Sequence, residues 1–158
     1  MAYTIPEQLK SQIDDIVARY PEKQAALLPV LHVVHEANGR HLTFEAMDAV
    51  AAALALPHSA VYEVATFYTM YNLRPVGRCH LQVCTTLSCA MMGAYDVVLH
   101  LEKKLGVQVG ETTADKKFTL TEVECLASCG TGPMMQVNDD YIENLTPQKL
   151  DEILARHR

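Results

Sequence analysis

The sequence contains no tryptophan and only three phenylalanines, so aliphatic side chains must build most of any core. No apolar run nears the ~20 residues that a membrane span needs; 49–56 is among the longest. Basic residues are few and scattered. Against 19 Asp and Glu there are 13 Lys and Arg, a net charge of −6, which suits a phosphate backbone poorly. Residues 1–10 hold no basic segment followed by an apolar stretch, so no secretory signal is expected. Neither G-x-G-x-x-G nor G-x-x-x-x-G-K-[ST] occurs, which removes the two commonest backbone cradles for nucleotides. These absences lead to the expectation of a soluble cytoplasmic protein with no nucleic-acid partner, no membrane insertion and no nucleotide site of its own. A place on a membrane-bound complex is compatible with them, because the absence of a span says nothing about partners. What remains is globular in composition: 158 residues, 49% hydrophobic and 20% charged, enough for one ordinary domain or two small ones.

The first half reads as four helices. Residues 6–20 place Leu9, Ile13, Ile16, Val17 and Tyr20 at helical spacing, with Pro6 suited to a first turn and Pro21 ending the run. A second helix is expected over 23–38, with Pro29 in or near its first turn and Gly39 as a left-handed stop. Thr43 is placed to cap a third over 43–54, and a fourth covers 59–68. Short connectors between them imply an antiparallel bundle. Pro75 and Gly77 mark a boundary, dividing the chain into a helical domain, 1–77, and a second domain, 78–158. There the order changes to a strand at 79–84, an amphipathic helix at 88–105, strands at 118–125, 134–138 and 141–145, and a last helix at 148–156. The last two strands are joined by a turn at Asn138, Asp139 and Asp140. The fold class expected is α+β: a helical bundle followed by a small α/β unit in the thioredoxin style.

Five cysteines lie in the second half: Cys79, Cys84, Cys89, Cys125 and Cys129. In a reducing compartment such a group is more often metal-binding or catalytic than disulfide-bonded. Cys84 and Cys89 are separated by four residues, Cys125 and Cys129 by three, and each pair falls where a strand runs into a loop. Two such loops are able to surround one metal centre with four thiolates. Strand parity sets Cys79 apart, because residues an odd number apart face opposite sides. If Cys84 faces the site, Cys79 points with Leu81 and Val83 into the core. The spacing leaves three chemistries open: tetrahedral zinc, a wider [2Fe–2S] group, or redox thiols. Hydroxyls and amides at Thr85, Thr86 and Ser88, a helix N-terminus expected at Cys89, and the close-approach glycines Gly130 and Gly132 favour the anionic iron–sulfur group.

Further along, an ordered set of motifs appears: Glu63-Val64-Ala65-Thr66-Phe67-Tyr68, then Cys84-x4-Cys89, then Cys125-Leu126-x2-Cys129-Gly130-x2-Pro133, then Asn138-x2-Tyr141-x2-Asn144-Leu145-Thr146. In this order and over essentially the whole chain, the sequence resembles the 24-kDa-type (NuoE) subunits of respiratory NADH:quinone oxidoreductase, complex I. The resemblance implies a thioredoxin-like ferredoxin domain with one [2Fe–2S] cluster behind a helical domain. It maps the cofactor-binding and metal-ligand positions onto Cys84, Cys89, Cys125 and Cys129, and leaves Cys79 outside the pattern. It also implies a heterodimer with an FMN-containing, NADH-binding (NuoF-like) subunit within a larger complex. FMN and NADH are then held by that partner, and the isolated chain has no NADH-oxidising activity. The small subunits of NAD-dependent formate dehydrogenases and NAD-reducing hydrogenases share the pattern, so the motif alone does not choose the host.

Readings from other classes fare worse. A zinc-binding structural or interaction protein fits the cysteines but not the surrounding motifs. The third and fourth helices have helix-turn-helix order, yet 59–70 holds Glu63 and no Lys or Arg. A thiol oxidoreductase of this style normally uses Cys-x-x-Cys, which neither pair provides. His32 and His35 read as core or surface residues, and Met91, Met92, Met134 and Met135 as packing. Asp139 and Asp140 read as turn residues. Phe67, Tyr68 and Tyr71 form an aromatic group suited to the second domain or to a partner.

Overall fold

A computed structural model describes residues 3–157. The chain divides between Pro75 and Val76 into two units, each with its own core. Among the described residues, no helix is long and apolar enough to cross a membrane.

The first unit is helical: α1 (Glu7–Val17), α2 (Leu27–Ala37), α3 (Phe44–Leu54) and α4 (His58–Phe67). A single 3-10 turn, Lys23–Ala26, leads directly into α2. Pro29 is the third residue of α2, where the missing N–H is not needed. Thr43 caps α3, its Oγ1 accepting the Ala46 N–H at 3.1 Å. Val30, Leu31 and Val34 of α2 meet Val50 and Leu54 of α3 and Val61 of α4 in a dry core. The expected aromatic group is split. Tyr71 is buried in this core and donates its hydroxyl to the Leu28 carbonyl at 2.8 Å, whereas Phe67 is 76% exposed.

The second unit holds β1 (Cys79–Cys84), α5 (Leu87–Met91), α6 (Ala94–Leu105), β2 (Phe118–Val123), β3 (Met135–Val137), β4 (Asp140–Ile142) and α7 (Pro147–Arg156). The sheet order is β2-β1-β3-β4. β1 and β2 are parallel, and β1–β3 and β3–β4 are antiparallel. Parallel pairing needs a crossover, which α5 and α6 supply. Leu81 and Val83 of β1 and Leu120 of β2 share a core with Val97, Val98 and Leu101 of α6 and Leu150, Ile153 and Leu154 of α7. The one helix expected over 88–105 is two, because Gly93 takes φ 92 between them. A left-handed residue there breaks the helix, and glycine permits it at little cost. The sequence hides the break, since helix-compatible residues run on both sides of Gly93.

His35 is a core residue of the first unit. Its ring packs edge-on against Tyr71, and its Nε2 accepts the Asn72 backbone N–H at 3.2 Å. Burial lowers its pKa from 6.5, while neighbouring Glu36 opposes that shift. The native state therefore prefers neutral His35. Below pH 6.5 the unfolded chain takes up the proton more readily, so this contribution to stability is present at higher pH and lost as pH falls. Urea midpoints should fall between neutral pH and mildly acidic pH, and His35→Gln should remove part of that fall. An unchanged pH dependence in the variant would show that His35 does not carry it.

Candidate metal centre

β1 ends on Cys84, whose backbone pairs with Val123 at the end of β2. The strand is tied off on both sides: the Cys84 N–H donates to the Met134 carbonyl at 3.2 Å, and the Thr85 N–H to the Val123 carbonyl at 3.2 Å. The loop after β1 and the loop after β2 consequently leave the sheet side by side. Cys89 follows in α5, and Cys125 lies two residues beyond β2. Cys129 opens a 3-10 turn, Cys129–Thr131.

Cys84 and Cys89 are buried in a small cluster with Ala94 and Met134, and partly buried Leu126 packs against it. Cys125 and Cys129 are exposed. Cys79 is buried in the other core with Leu81 and Val83, on the face that strand parity assigns to it. Among the described residues, no three His, Cys, Asp or Glu side chains are gathered tightly enough to hold a single metal ion. The structure thus joins Cys84 to Cys89 in a buried half and leaves Cys125 and Cys129 as an open half on the neighbouring loop.

Sulfur is well supplied with polar partners. The Cys84 Sγ lies 3.0 Å from Thr86 Oγ1 and 3.3 Å from the Glu124 carbonyl, and the single Thr86 hydroxyl hydrogen has that sulfur and that carbonyl as alternative acceptors. Burial pushes the Cys84 thiol up, but hydrogen bonds from the Thr86 hydroxyl and backbone N–H, the Leu126 N–H and Cys89 leave its pKa below 9.0. Cys89 moves the other way, raised first by burial and then by its hydrogen bond to Cys84 and the nearby Cys84 and Cys129 charges. Cys84 is therefore the readier thiolate of the pair. The Ala127 N–H points at Cys125 Sγ at 3.4 Å.

Gly132, followed by a cis bond to Pro133, closes the loop over Cys89. A Cβ on Gly132 would stand 3.3 Å from the Cys89 sulfur and 3.1 Å from the Met92 sulfur, tighter than ordinary contact. The helix start expected at Cys89 falls two residues earlier, at Leu87, so Cys89 lies in the first turn of α5, a helix of only five residues. Four thiols on two adjacent loops, with donors aimed at sulfur and a close-packed glycine, are a donor set that fits an anionic thiolate-held iron–sulfur group.

Packing explains Met134 and Met135 but not Met91 and Met92, which are exposed. Met134 and Met135 are fully buried, while Met91 is 80% exposed, so the four methionines do not share one role. Asn138 takes φ 54 in the turn between β3 and β4. The residue missed by sequence reasoning is Glu143. Its carboxylate accepts hydrogen bonds from Ser128 Oγ and, at 2.8 Å, from Thr131 Oγ1, on either side of Cys129. It lies within the Tyr141-x2-Asn144 spacing, where only the flanking residues drew notice.

The family model described as thioredoxin-like [2Fe-2S] ferredoxin matches residues 13–158. The chain is 46% identical over 156 residues to the NADH-quinone oxidoreductase E subunit of Rickettsia conorii, covering 98% of this chain and 93% of that protein. It is 42% identical over 150 residues to the second of the NADH-quinone oxidoreductase E subunits of Rhizobium meliloti, covering 95% and 89%. Among solved structures, a chain of an NAD+-reducing [NiFe]-hydrogenase in the air-oxidised state matches with a TM-score of 0.69 at 20% identity. That match covers 80% of this chain and 22% of the hydrogenase chain, and it shows the shared fold.

Proposed function

Since this chain belongs to the thioredoxin-like [2Fe-2S] ferredoxin family, among the NADH-quinone oxidoreductase E subunits, we propose that it is the single-electron carrier of an NADH-linked complex. In this reading Cys84, Cys89, Cys125 and Cys129 hold one [2Fe–2S] cluster, and the chain exchanges electrons with the FMN of an NADH-binding, NuoF-like partner. The observation that supports it is the parallel pairing of β1 and β2, whose following loops, each bearing a cysteine pair, leave the same end of the sheet.

Bound there, a [2Fe–2S] group supplies one-electron redox chemistry. The chain's own residues provide the cage and its electrostatics. Cys84 and Cys89 offer sulfur from a dry, packed half, and Thr86 and the Leu126 N–H stabilise negative charge on Cys84. Cys125 and Cys129 offer sulfur from the solvent side, where a partner's redox group has access.

Nucleotide chemistry is assigned to the partner because the sequence has neither common phosphate-binding fingerprint. An apolar surface next to the site supports a protein partner. Leu87 and Met91 are one turn apart on α5, and Tyr95 and Leu99 one turn apart on α6, with exposures of 76, 80, 56 and 61%. Exposed apolar side chains of this kind, beginning two residues before Cys89, are better covered by another protein than by water. Kinship at 42–46% identity favours a quinone-reducing host over a hydrogen- or formate-oxidising one, whose small subunits would use the same cage.

Ligand assignment is tested by substitution. Cys84→Ser, Cys89→Ser, Cys125→Ser and Cys129→Ser should each lose or strongly alter the visible spectrum of the anaerobically purified protein. Cys79→Ala should keep it, at a cost of about 1–2 kcal/mol for the buried site. A cluster lost from the Cys79 variant but kept in one of the four serine variants would redraw the ligand set.

Division of labour is tested by mixing. The isolated chain should not reduce a dye with NADH. With the flavin-bearing subunit it should form a stable heterodimer, in which NADH bleaches this chain's visible absorption. Met91→Glu should weaken that heterodimer by about tenfold or more. NADH oxidation by the isolated chain at the heterodimer's rate would contradict the proposal.

A further inference from the structure

The loop that carries Cys125 and Cys129 has almost no regular structure between β2 and β3 beyond one 3-10 turn. It bends through Ala127, which takes a left-handed φ of 58, and both cysteines are exposed. Packing of the kind that fixes Cys84 and Cys89 is absent at these two positions. Something else must hold Cys129 in place before any metal arrives.

The segment after β4 does this. The Asn144 N–H donates to the Thr131 carbonyl at 2.7 Å, and the Leu145 N–H to the Pro133 carbonyl at 2.9 Å. Between them and the cysteine stands half-buried Glu143. One of its oxygens, Oε1, receives both the Ser128 and the Thr131 hydroxyls, which are themselves 2.7 Å apart. Lys149 Nζ donates to the Glu143 carbonyl at 2.5 Å and anchors it to the first turn of α7. Hydrogen bonds from Ser128 and Thr131, then the Lys149 charge, hold the Glu143 carboxyl below the usual carboxylate range. The side chain is thus an anion placed on both shoulders of Cys129.

We propose that Glu143 is a positioning residue for the metal centre: through Ser128 and Thr131 it presets Cys129, and its fixed negative charge makes the bound group harder to reduce. The inference rests on the reading of the four cysteines as [2Fe–2S] ligands. It assigns Glu143 two separable effects, one through hydrogen bonds and one through charge. Gln shares the shape of Glu, and its Oε1 can accept from both hydroxyls, so Glu143→Gln removes the charge and keeps the bridge. Glu143→Ala removes both. A Ser128→Ala, Thr131→Val double variant removes the bridge and keeps the charge.

The experiment compares the full-length chain and these three variants by two readings: the rate at which a chelator bleaches the cluster, and the midpoint potential from an EPR-monitored titration. Outer-shell partners of metal ligands typically alter metal retention by 10–100-fold. Glu143→Ala and the double variant should therefore bleach about tenfold faster than wild type or more, and Glu143→Gln should stay near the wild-type rate. Both Glu143 variants should have potentials shifted positive, because losing a nearby negative charge favours the reduced, more negative cluster. The double variant, which keeps the carboxylate, should shift much less. A stable wild-type cluster with unchanged bleaching and potential in Glu143→Ala overturns the inference and leaves the proposed function standing. So does fast bleaching in Glu143→Ala that the double variant fails to reproduce. Wild-type protein with no [2Fe–2S] signal defeats the functional reading and this inference with it. If Glu143→Ala fails to fold, the double variant's bleaching rate and the Glu143→Gln potential decide the two halves separately.

Discussion

The parallel pairing of β1 with β2 is the constraint from which the site follows. Antiparallel neighbours would send the loops after these strands to opposite ends of the sheet. Parallel ones bring them out together, with Cys84 directly across from Val123. Cys125 then needs only Glu124 between it and the strand end to reach the same edge as Cys84. The cost of the parallel arrangement is a long crossover, and the chain uses that too: α5, at the start of it, carries Cys89. The remaining strands and α7 complete the core that keeps this pairing in register.

The two halves of the site are built on different principles. Cys84 and Cys89 are fixed by packing, in contact with Ala94 and Met134, and their sulfurs are tuned by a few directed hydrogen bonds. Cys125 and Cys129 lie exposed on a loop that Leu126 pins to the buried half and that polar contacts order beyond it, chiefly the Glu143 bridge and the backbone bonds from Asn144 and Leu145. In the proposed reading, the dry half would limit solvent around a bound group, and the open half would give a redox partner a way in. Burial and access are both needed for electron transfer between proteins, and a symmetric cage of four buried thiols would supply only the first.

Much of this was legible in the sequence, for reasons that can be stated residue by residue. The alternation of β1 separates Cys79 from Cys84 by parity alone, and burial agrees, with Cys79 beside Leu81 and Val83. Thr43 and Pro29 announce where helices begin because capping and the missing proline N–H are local chemistry. Long-range geometry was not legible. Gly93 breaks a run whose residues on both sides suit a helix. Tyr71 reads as one of three grouped aromatics suited to the second domain or a partner, until the fold brings its hydroxyl to the Leu28 carbonyl. Glu143 lies 14 residues beyond Cys129, in a stretch that reads as strand and turn, and only the tertiary fold places its carboxylate against Ser128 and Thr131. The expected strand over 141–145 hid it further, since β4 ends at Ile142 and the residues after it leave the ladder to hold the loop.

The central claim is that this chain's four paired cysteines hold a binuclear iron–sulfur group rather than a single ion. Elemental and acid-labile sulfide analysis of anaerobically purified full-length protein, combined with EPR spin quantification after dithionite reduction, tests it directly. The account predicts about two irons and two sulfides per chain and a single spin-half signal approaching one spin per cluster. One zinc per chain with no labile sulfide and no EPR signal would contradict it.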